Sequence, residues 1–256
     1  MYDAVARHRA IQSIVTRDTA QGQLRKYYRF RADRWYGGIA TADVVGCGML
    51  CKFCWVSDHI LERPDASGQF LAPVEAARKL LRVAVRRRLV QVRMSGGEPA
   101  IGRSHLLKVL SEIEEQRRFR FILETNGIML GADPSYCHEL AAFRCLHVRV
   151  SLKGSCEDEF EKLTEANGEG FKLQLEALRN LRDARVSYHA AVMSSYSTDR
   201  NVRQLRDRIS QIEHKLANDL EIEELIQYPR VRRRLQKFGL RPSVSHDPRN
   251  VPERLI

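Results

Sequence analysis

Three cysteines stand close together in the first quarter of the chain, at the spacing Cys-x3-Cys-x2-Cys: Cys47, Cys51 and Cys54. Three thiolates bind three irons of a [4Fe-4S] cluster and leave the fourth iron open to a chelating small molecule. Gly46 and Gly48 suit a loop whose backbone bends closely around a cluster. Zinc is the main rival, but zinc sites usually use four ligands in two pairs, and no second pair follows. Chance proximity of three buried thiols is the other alternative.

Polar residues recur where later strands are predicted to end. Residues 95–99 read Ser-Gly-Gly-Glu-Pro, residues 124–127 read Glu-Thr-Asn-Gly, and residues 151–154 read Ser-Leu-Lys-Gly. A carboxylate such as that of Glu98 makes a charge-assisted bond to an ammonium group, and the glycines before it let backbone approach a ligand. The same residues also occur in ordinary surface loops, which is the alternative reading of each segment.

Strands and helices must alternate to bring these segments together. The predicted strands cover residues 38–45, 89–94, 119–124, 145–152, 186–193 and 220–226. The predicted helices cover residues 5–15, 74–88, 104–116, 134–142, 171–184 and 202–216, and residues 16–34 read as an irregular basic stretch. Helices of ten or more residues between strands favour a parallel sheet, because each parallel connection needs a crossover. We therefore predict an α/β fold, a partial (β/α)6 barrel whose strand ends carry the chemistry.

The same pattern suggests how the chain is divided. We expect residues 1–35 to form an N-terminal helical extension, residues 36–228 the core domain, and residues 229–256 a basic C-terminal tail. No internal repeat or Pro/Gly/Ser linker splits these 256 residues, and barrel folds of this length often form a single domain.

Composition narrows the class of protein further. With 43% hydrophobic and 29% charged residues, the chain is expected to fold as a globular protein in the cytosol, without a membrane span or a signal peptide. The cytosol keeps thiols reduced, so six cysteines are metal ligands or buried thiols. Because Cys137, Cys145 and Cys156 are irregularly spaced, we expect them to be buried thiols. The net charge of +11 steers acidic partners, although the runs at residues 86–88 and 232–234 are also typical of solvated surface.

At the cysteine motif the sequence resembles the radical S-adenosylmethionine (SAM) superfamily, in which an aromatic residue precedes the last cysteine, as Phe53 does here. The segments at 124–127 and 151–154 are similar to those of glycyl-radical-enzyme activases and 7-carboxy-7-deazaguanine synthase. The resemblance implies a [4Fe-4S] cluster on the three cysteines and SAM as the second cofactor. The SAM contacts that it implies are Phe53, Gly96, Gly97, Glu98, Asn126, Ser151 and Lys153.

The implied activity is reductive cleavage of SAM to a 5′-deoxyadenosyl radical, which abstracts hydrogen from a substrate. A one-electron reductant such as flavodoxin or ferredoxin is the implied partner, and the resemblance assigns no separate catalytic side chain. A protein or peptide ranks first as substrate, as in glycyl-radical activation, with a small molecule or nucleoside, including tRNA, close behind. The Asp-Gly-Pro-Gly stretch of the activases is absent, since residues 34–38 read Arg-Trp-Tyr-Gly-Gly. This departure weakens the activase assignment.

Two further points stay open at this stage. The glycine-rich motif usual on the fifth strand is replaced by residues 187–193, where His189 is a candidate for packing on adenine. The non-enzymatic alternative is an iron-sulfur or zinc module that binds nucleic acid through its basic surface. That alternative accounts for the charge and the cysteines but not for residues 95–99 and 124–127.

Overall fold

Strands and helices alternate along most of the chain, of which the computed structural model describes residues 1–20 and 22–256. The strands are β1 (Thr16–Thr19), β2 (Gly22–Asp33), β3 (Ile39–Val44), β4 (Gln69–Leu71), β5 (Gln91–Gly96), β6 (Arg120–Thr125), β7 (Leu146–Leu152), β8 (Tyr188–Met193), β9 (Glu221–Glu223), β10 (Leu225–Ile226) and β11 (Ser245–His246). The α-helices are α1 (Ala4–Val15), α2 (Asp58–Glu62), α3 (Pro73–Arg86), α4 (Arg103–Glu114), α5 (Ile128–Ala132), α6 (Pro134–Leu140), α7 (Glu157–Thr164), α8 (Glu169–Asp183), α9 (Asp199–Ser210), α10 (His214–Asn218) and α11 (Pro229–Lys237).

Six parallel strands form the centre of the molecule. They lie side by side in the order β3, β5, β6, β7, β8 and β9, and each pair of neighbours is parallel. The other side of β3 pairs with the antiparallel strand β2 and not with β9, so the sheet ends without closing. The prediction of a partial (β/α)6 barrel is therefore confirmed.

The two faces of the sheet differ in chemistry because side chains alternate along a strand. On β5, Val92 and Met94 belong to the apolar core under the helices, whereas Arg93 between them points to the other face. On β7, Val148 and Val150 are core residues and Arg149 points to the other face. The concave face of the sheet is therefore polar. None of the helices described in residues 1–20 and 22–256 is long and apolar enough to cross a membrane.

The prediction of an irregular stretch over residues 16–34 is wrong. β1 and β2 form an antiparallel hairpin there, and β2 extends the main sheet beside β3. β2 was not predicted because basic side chains occupy buried positions in it, so apolar and polar residues do not alternate in the sequence. Arg25 is almost fully buried, and its guanidinium donates to the carbonyls of Val15 (3.3 Å) and Glu98 (3.3 Å).

The last two predicted elements are each divided in the structure. The helix expected over residues 202–216 is broken between α9 and α10, because the chain turns at Ile212 and buries it together with Leu216. The strand expected over residues 220–226 divides at Glu224, which turns aside to accept from Arg254 (2.7 Å). Beyond it, β10 pairs with β11, and residues 229–256 also contain α11.

Candidate active site

The cysteine loop follows β3 and lies at the carboxyl edge of the parallel sheet. Cys47, Cys51 and Cys54 are free thiols and are half-buried. Burial raises the pKa of all three, that of Cys51 to about 12. Negative charge raises the pKa further at two of them, because Cys47 lies near Glu98 and Cys51, and Cys51 lies near Cys54. The positive charges of Lys153 and Arg234 act in the opposite direction on Cys51 and Cys54.

This donor set fits a [4Fe-4S] cluster. The thiols are costly to ionise where they lie, and bound iron supplies the positive charge that keeps them as thiolates. In the part of the chain that the structure describes, no three His, Cys, Asp or Glu side chains are grouped to hold one metal ion. A cubane places its three protein thiolates on three separate irons, so it needs a wider spacing than a single ion does.

Helix α1 packs directly against the cysteine loop. A Cβ atom at Gly48 would lie 2.2 Å from Nδ1 of His8, and one at Gly46 would lie 2.8 Å from Ile11 and Val15. The hydroxyl of Tyr2 accepts from the backbone N–H of Leu50 at 2.9 Å. The glycines of the loop therefore make room for the N-terminal helix.

A chain of hydrogen bonds joins this helix to the first cysteine. The carbonyl of Ala4 accepts from Nδ1 of His8 (2.6 Å), so Nε2 of the neutral ring is an acceptor. Burial lowers the pKa of His8 and favours that neutral ring. The Asn126 amide lies 2.9 Å from this Nε2 and 3.7 Å from Sγ of Cys47, and it has a hydrogen for each. Asn126, predicted to contact SAM, thus also contacts Cys47, which is predicted to bind the cluster.

The second strand end is tied to the cysteine loop by backbone contacts. The N–H of Gly97 donates to the carbonyl of Val44 (2.8 Å), and that of Glu98 donates to the carbonyl of Gly46 (2.7 Å). A Cβ atom at Gly97 would lie 2.2 Å from the same Gly46 oxygen, and Gly96 has a φ of +91°. Both glycines are therefore required where two loops meet.

The carboxylate of Glu98 is buried, with 2% of the residue exposed. Its Oε1 accepts from Thr125 Oγ1 (2.7 Å) and the N–H of Ala100 (3.0 Å), and its Oε2 accepts from the N–H of Asn126 (2.7 Å). A carboxylate has about four acceptor positions, so one remains on Oε2. Glu98 thus connects the second and third strand ends and keeps capacity for one more donor.

The remaining predicted residues lie on the other side of the loop. Lys153 donates to Ser151 Oγ at 2.6 Å, and its charge acts on Cys51 and Cys54. Phe53 is buried in an apolar cluster with Val231 of α11, and its ring centroid lies 6.0 Å from that of Tyr196. The carboxyl edge of the sheet thus carries the cysteine loop together with Glu98, Asn126, Ser151 and Lys153. Phe53, which belongs to the loop, packs against α11.

The concave face of the sheet carries ion pairs that the sequence pattern did not reveal. Arg93 donates to Glu124 (2.8 Å) and to Asp33 of β2 (2.8 Å), and Arg149 donates to Glu221 and Glu223 (2.7 Å each). Burial raises the pKa of Glu124, but the charges of Arg93 and Arg149 outweigh it and lower the pKa to about 2. The alternation of Arg93 and Arg149 with apolar neighbours was the available signal.

His189 takes part in the same polar layer. Its Nδ1 lies 2.7 Å from Nε2 of His147, and its Nε2 lies 2.9 Å from Glu221. The histidine is held by other protein side chains at the beginning of β8, far along the strand from the cysteine loop at its carboxyl edge.

Helix α11 holds the far side of the cysteine loop. The guanidinium of Arg234 donates to the carbonyls of Cys54 (2.5 Å) and Val56 (3.0 Å) and pairs with Asp58. Only 9% of its side chain is exposed. The interpretation of residues 232–234 as a solvated run is therefore wrong for Arg234. Arg232 pairs loosely with Asp247 (3.8 Å), and Arg233 is exposed.

The other three cysteines lie away from this loop. Cys137 is buried in α6, as predicted, but Cys145 and Cys156 are only half-buried. Cys145 comes just before β7 and Cys156 is the residue before α7, and both positions are at the margins of the core.

The fold is an open parallel barrel with three thiols at the end of its first strand and polar groups at the ends of the following strands. This arrangement is typical of one class of iron-sulfur enzyme. The sequence model of the radical SAM superfamily matches residues 43–209, and the chain belongs to this superfamily. The resemblance drawn from the motifs is confirmed. Enzymes of this superfamily use a [4Fe-4S] cluster and SAM, and these are the cofactors of this chain.

One curated relative and several solved structures are similar. GTP 3′,8-cyclase of Mycobacterium marinum (strain ATCC BAA-535 / M) is 38% identical over 120 residues, which are 46% of this chain and 31% of that protein. SuiB of Streptococcus suis, bound to its precursor peptide SuiA, has a TM-score of 0.58 at 14% identity and covers 82% of this chain and 48% of SuiB. TYW1 with a lysine-pyruvate adduct has a TM-score of 0.52 at 12% identity, and the match covers 78% of this chain and 72% of TYW1. The structural likenesses show the fold alone, and the chain spans about a third of the curated relative.

Proposed function

We propose that this chain binds its [4Fe-4S] cluster through Cys47, Cys51 and Cys54 and cleaves SAM reductively to begin hydrogen abstraction from a substrate. The observation that carries the proposal is the junction of the cysteine loop with the next two strand ends, through Glu98 and Asn126. Residues from three strand ends converge on one edge of the sheet, which is where barrel enzymes place their chemistry. The cofactors supply the radical, and the protein supplies position and exclusion of water.

The side chains at this edge suit the two ends of SAM. We assign the ammonium group of SAM to the one free acceptor position of Glu98, supported by backbone at Gly96 and Gly97. The carboxylate of SAM is assigned to Lys153 and Ser151, because an ammonium and a hydroxyl are its natural donors. Phe53 is assigned to the side of the cysteine loop that faces the adenine of SAM, where its packing limits movement of the loop.

A protein or peptide is the first candidate substrate. The sheet stays open because β3 does not pair with β9, and an extended segment of another chain has room to enter at such an opening. In this proposal residues 36–228 carry the chemistry, while residues 1–35 and 229–256 support the cysteine loop. The proposal extends to a one-electron reductant as the partner.

A small polar molecule, such as a nucleotide, is the second candidate. The ion pairs of Arg93 and Arg149 make the concave face of the sheet strongly polar, and such a face solvates a charged ligand better than an apolar side chain. The relative that is 38% identical over 120 residues is a GTP cyclase, which agrees with this candidate. Nucleic acid is the third class, favoured only by the net charge.

The test is anaerobic reconstitution followed by reduction with dithionite. We expect about four irons and four sulfides per chain, and slow formation of methionine and 5′-deoxyadenosine from SAM. Changing Cys47, Cys51 and Cys54 together to Ala abolishes both, whereas changing Cys137, Cys145 and Cys156 together to Ser leaves the iron count unchanged. Zinc without sulfide in anaerobically purified protein, or a reduced cluster that leaves SAM intact, would refute the proposal.

A further inference from the structure

An exposed face lies beside the cysteine loop and joins it to α11. We name it the docking face and define it by Leu50, Lys52, Arg233, Lys237 and Phe238. Leu50 is 39% exposed and Phe238 is 40% exposed. The Phe238 ring centroid lies 5.3 Å from Nζ of Lys52 and 5.7 Å from Nζ of Lys237. The exposed ring of Phe238 is therefore flanked by two cations, and Leu50 is two positions from one of them in the chain.

The docking face is fixed to the loop by the inner side of α11. Val231 and Leu235 pack with Phe53, while Arg234 bonds the carbonyls of Cys54 and Val56. Residues three and four positions apart share a side of a helix, so Lys237 lies beside Arg234. Arg233 lies one turn before Lys237 and is exposed. The outer side of the helix thus presents cations next to the loop.

The acidic groups nearby are already paired, one of them with Lys52 of the docking face itself. Asp58 pairs with Arg234, and Glu165 pairs with Lys52 at 3.3 Å. Within residues 1–20 and 22–256, neither Arg233 nor Lys237 forms an ion pair with an acidic side chain. Their charge therefore projects into solvent, where it can attract an acidic surface.

The second exposed basic run, at residues 86–88, lies at the opposite end of the barrel. It ends α3, just before the chain enters β5, and so stands at the amino edge of the parallel sheet. The cysteine loop follows the carboxyl end of β3, at the other edge. Electron transfer between proteins needs a short path, which the docking face offers because Leu50 adjoins Cys51 in the chain.

We propose that the docking face receives an acidic one-electron carrier protein, a proposal that rests on the proposed function. Leu50 and Phe238 would form the dry centre of the contact, and Arg233 and Lys237 the charged border that steers association. In each encounter the carrier is oxidised by one electron and the cluster is reduced by one electron. No covalent bond forms or breaks in this step.

The test compares two charge reversals of equal size. One variant carries Arg233→Glu and Lys237→Glu, and the matched control carries Arg86→Glu and Arg87→Glu. Reconstituted protein is mixed anaerobically with reduced flavodoxin, an acidic carrier, or with dithionite, and cluster bleaching is followed by stopped flow. Rates are taken at about 50 and 200 mM salt, because the Debye length falls to about 8 Å or less over that range.

We expect the ratio of the flavodoxin rate to the dithionite rate to fall at least about tenfold in the first variant, and less than about twofold in the control. Phe238→Ala should lower the same ratio at both salt concentrations, since its contribution is apolar. Equal ratios in all variants, or an equal fall in both reversals, would overturn the docking face. So would tight tRNA binding that is lost only in the first variant and that stimulates SAM cleavage. Failure of dithionite alone to drive SAM cleavage in unmodified protein would refute the proposed function instead.

Discussion

Replacing Glu98 by Gln separates the two roles that the structure gives to this side chain. The carboxylate accepts from Thr125, Ala100 and Asn126, and it is almost fully buried. A glutamine amide has one oxygen, so it satisfies either the two donors at Oε1 or the single donor at Oε2. Its NH2 group then faces another donor, and an unsatisfied buried donor costs about 1–3 kcal/mol. We expect the unfolding free energy of the apo protein to fall by about that amount.

The effect on SAM is expected to be separate from this loss. If the free position on Oε2 binds the ammonium of SAM, the lost charge-assisted bond costs about 1.5–3 kcal/mol, which is about 10- to 150-fold in Kd. Anaerobic calorimetry on the reconstituted protein gives Kd, and urea unfolding of the apo protein gives stability. Thr125→Val is the matched variant, because it removes one donor to Oε1 and leaves the carboxylate in place.

Thr125→Val should therefore lower stability with a change in SAM affinity of less than about threefold, since the charge-assisted bond is kept. A loss of stability in Glu98→Gln with an unchanged Kd for SAM would refute the assignment of the ammonium site. It would leave Glu98 as a purely structural link between two strand ends.

Three further predictions concern Gly48 and Asn126 at the cysteine loop and the buried His105 of α4. Gly48→Ala should cost about 1–3 kcal/mol of unfolding free energy, because its Cβ would meet His8 at 2.2 Å, and His8→Ala should reduce that cost in a double-mutant cycle measured in urea. Asn126→Leu should lower the reduction potential of the cluster in an EPR-monitored titration, because hydrogen bonds to thiolates stabilise the reduced cluster; an unchanged potential would remove Asn126 from this role. His105 is buried, which lowers its pKa to about 4, so the unfolded chain binds the extra proton and stability is lost as pH falls from about 6.5 to 4. Between pH 7 and 4, the unfolding free energy of the unmodified apo protein should fall by about 3 kcal/mol more than that of the His105→Gln variant. Chemical unfolding at several pH values measures both, and parallel plots of unfolding free energy against pH would contradict the prediction.

The cysteine spacing and the alternation of strands with helices were sufficient to predict the superfamily and the partial barrel. Both are local signals: the three cysteines of the motif lie within eight residues, and each crossover helix follows its strand in sequence. The further match of Ser95–Gly–Gly–Glu–Pro with a strand end strengthened the prediction for the same reason. The positions of Glu98, Asn126, Ser151 and Lys153 agree with a shared site, while their contacts with SAM stay predictions.

Only the tertiary structure showed what holds the cysteine loop. His8 reaches Asn126 across 118 positions of the chain, and Arg234 reaches Cys54 across 180. A lone histidine in a helix and one arginine in a basic run have no local pattern that reveals such partners. The hairpin of β1 and β2 was hidden because Arg25 is buried against backbone carbonyls and so breaks the alternation of strand residues. Local spacing therefore determined which chemistry the chain carries, and long-range packing decided which residues position it.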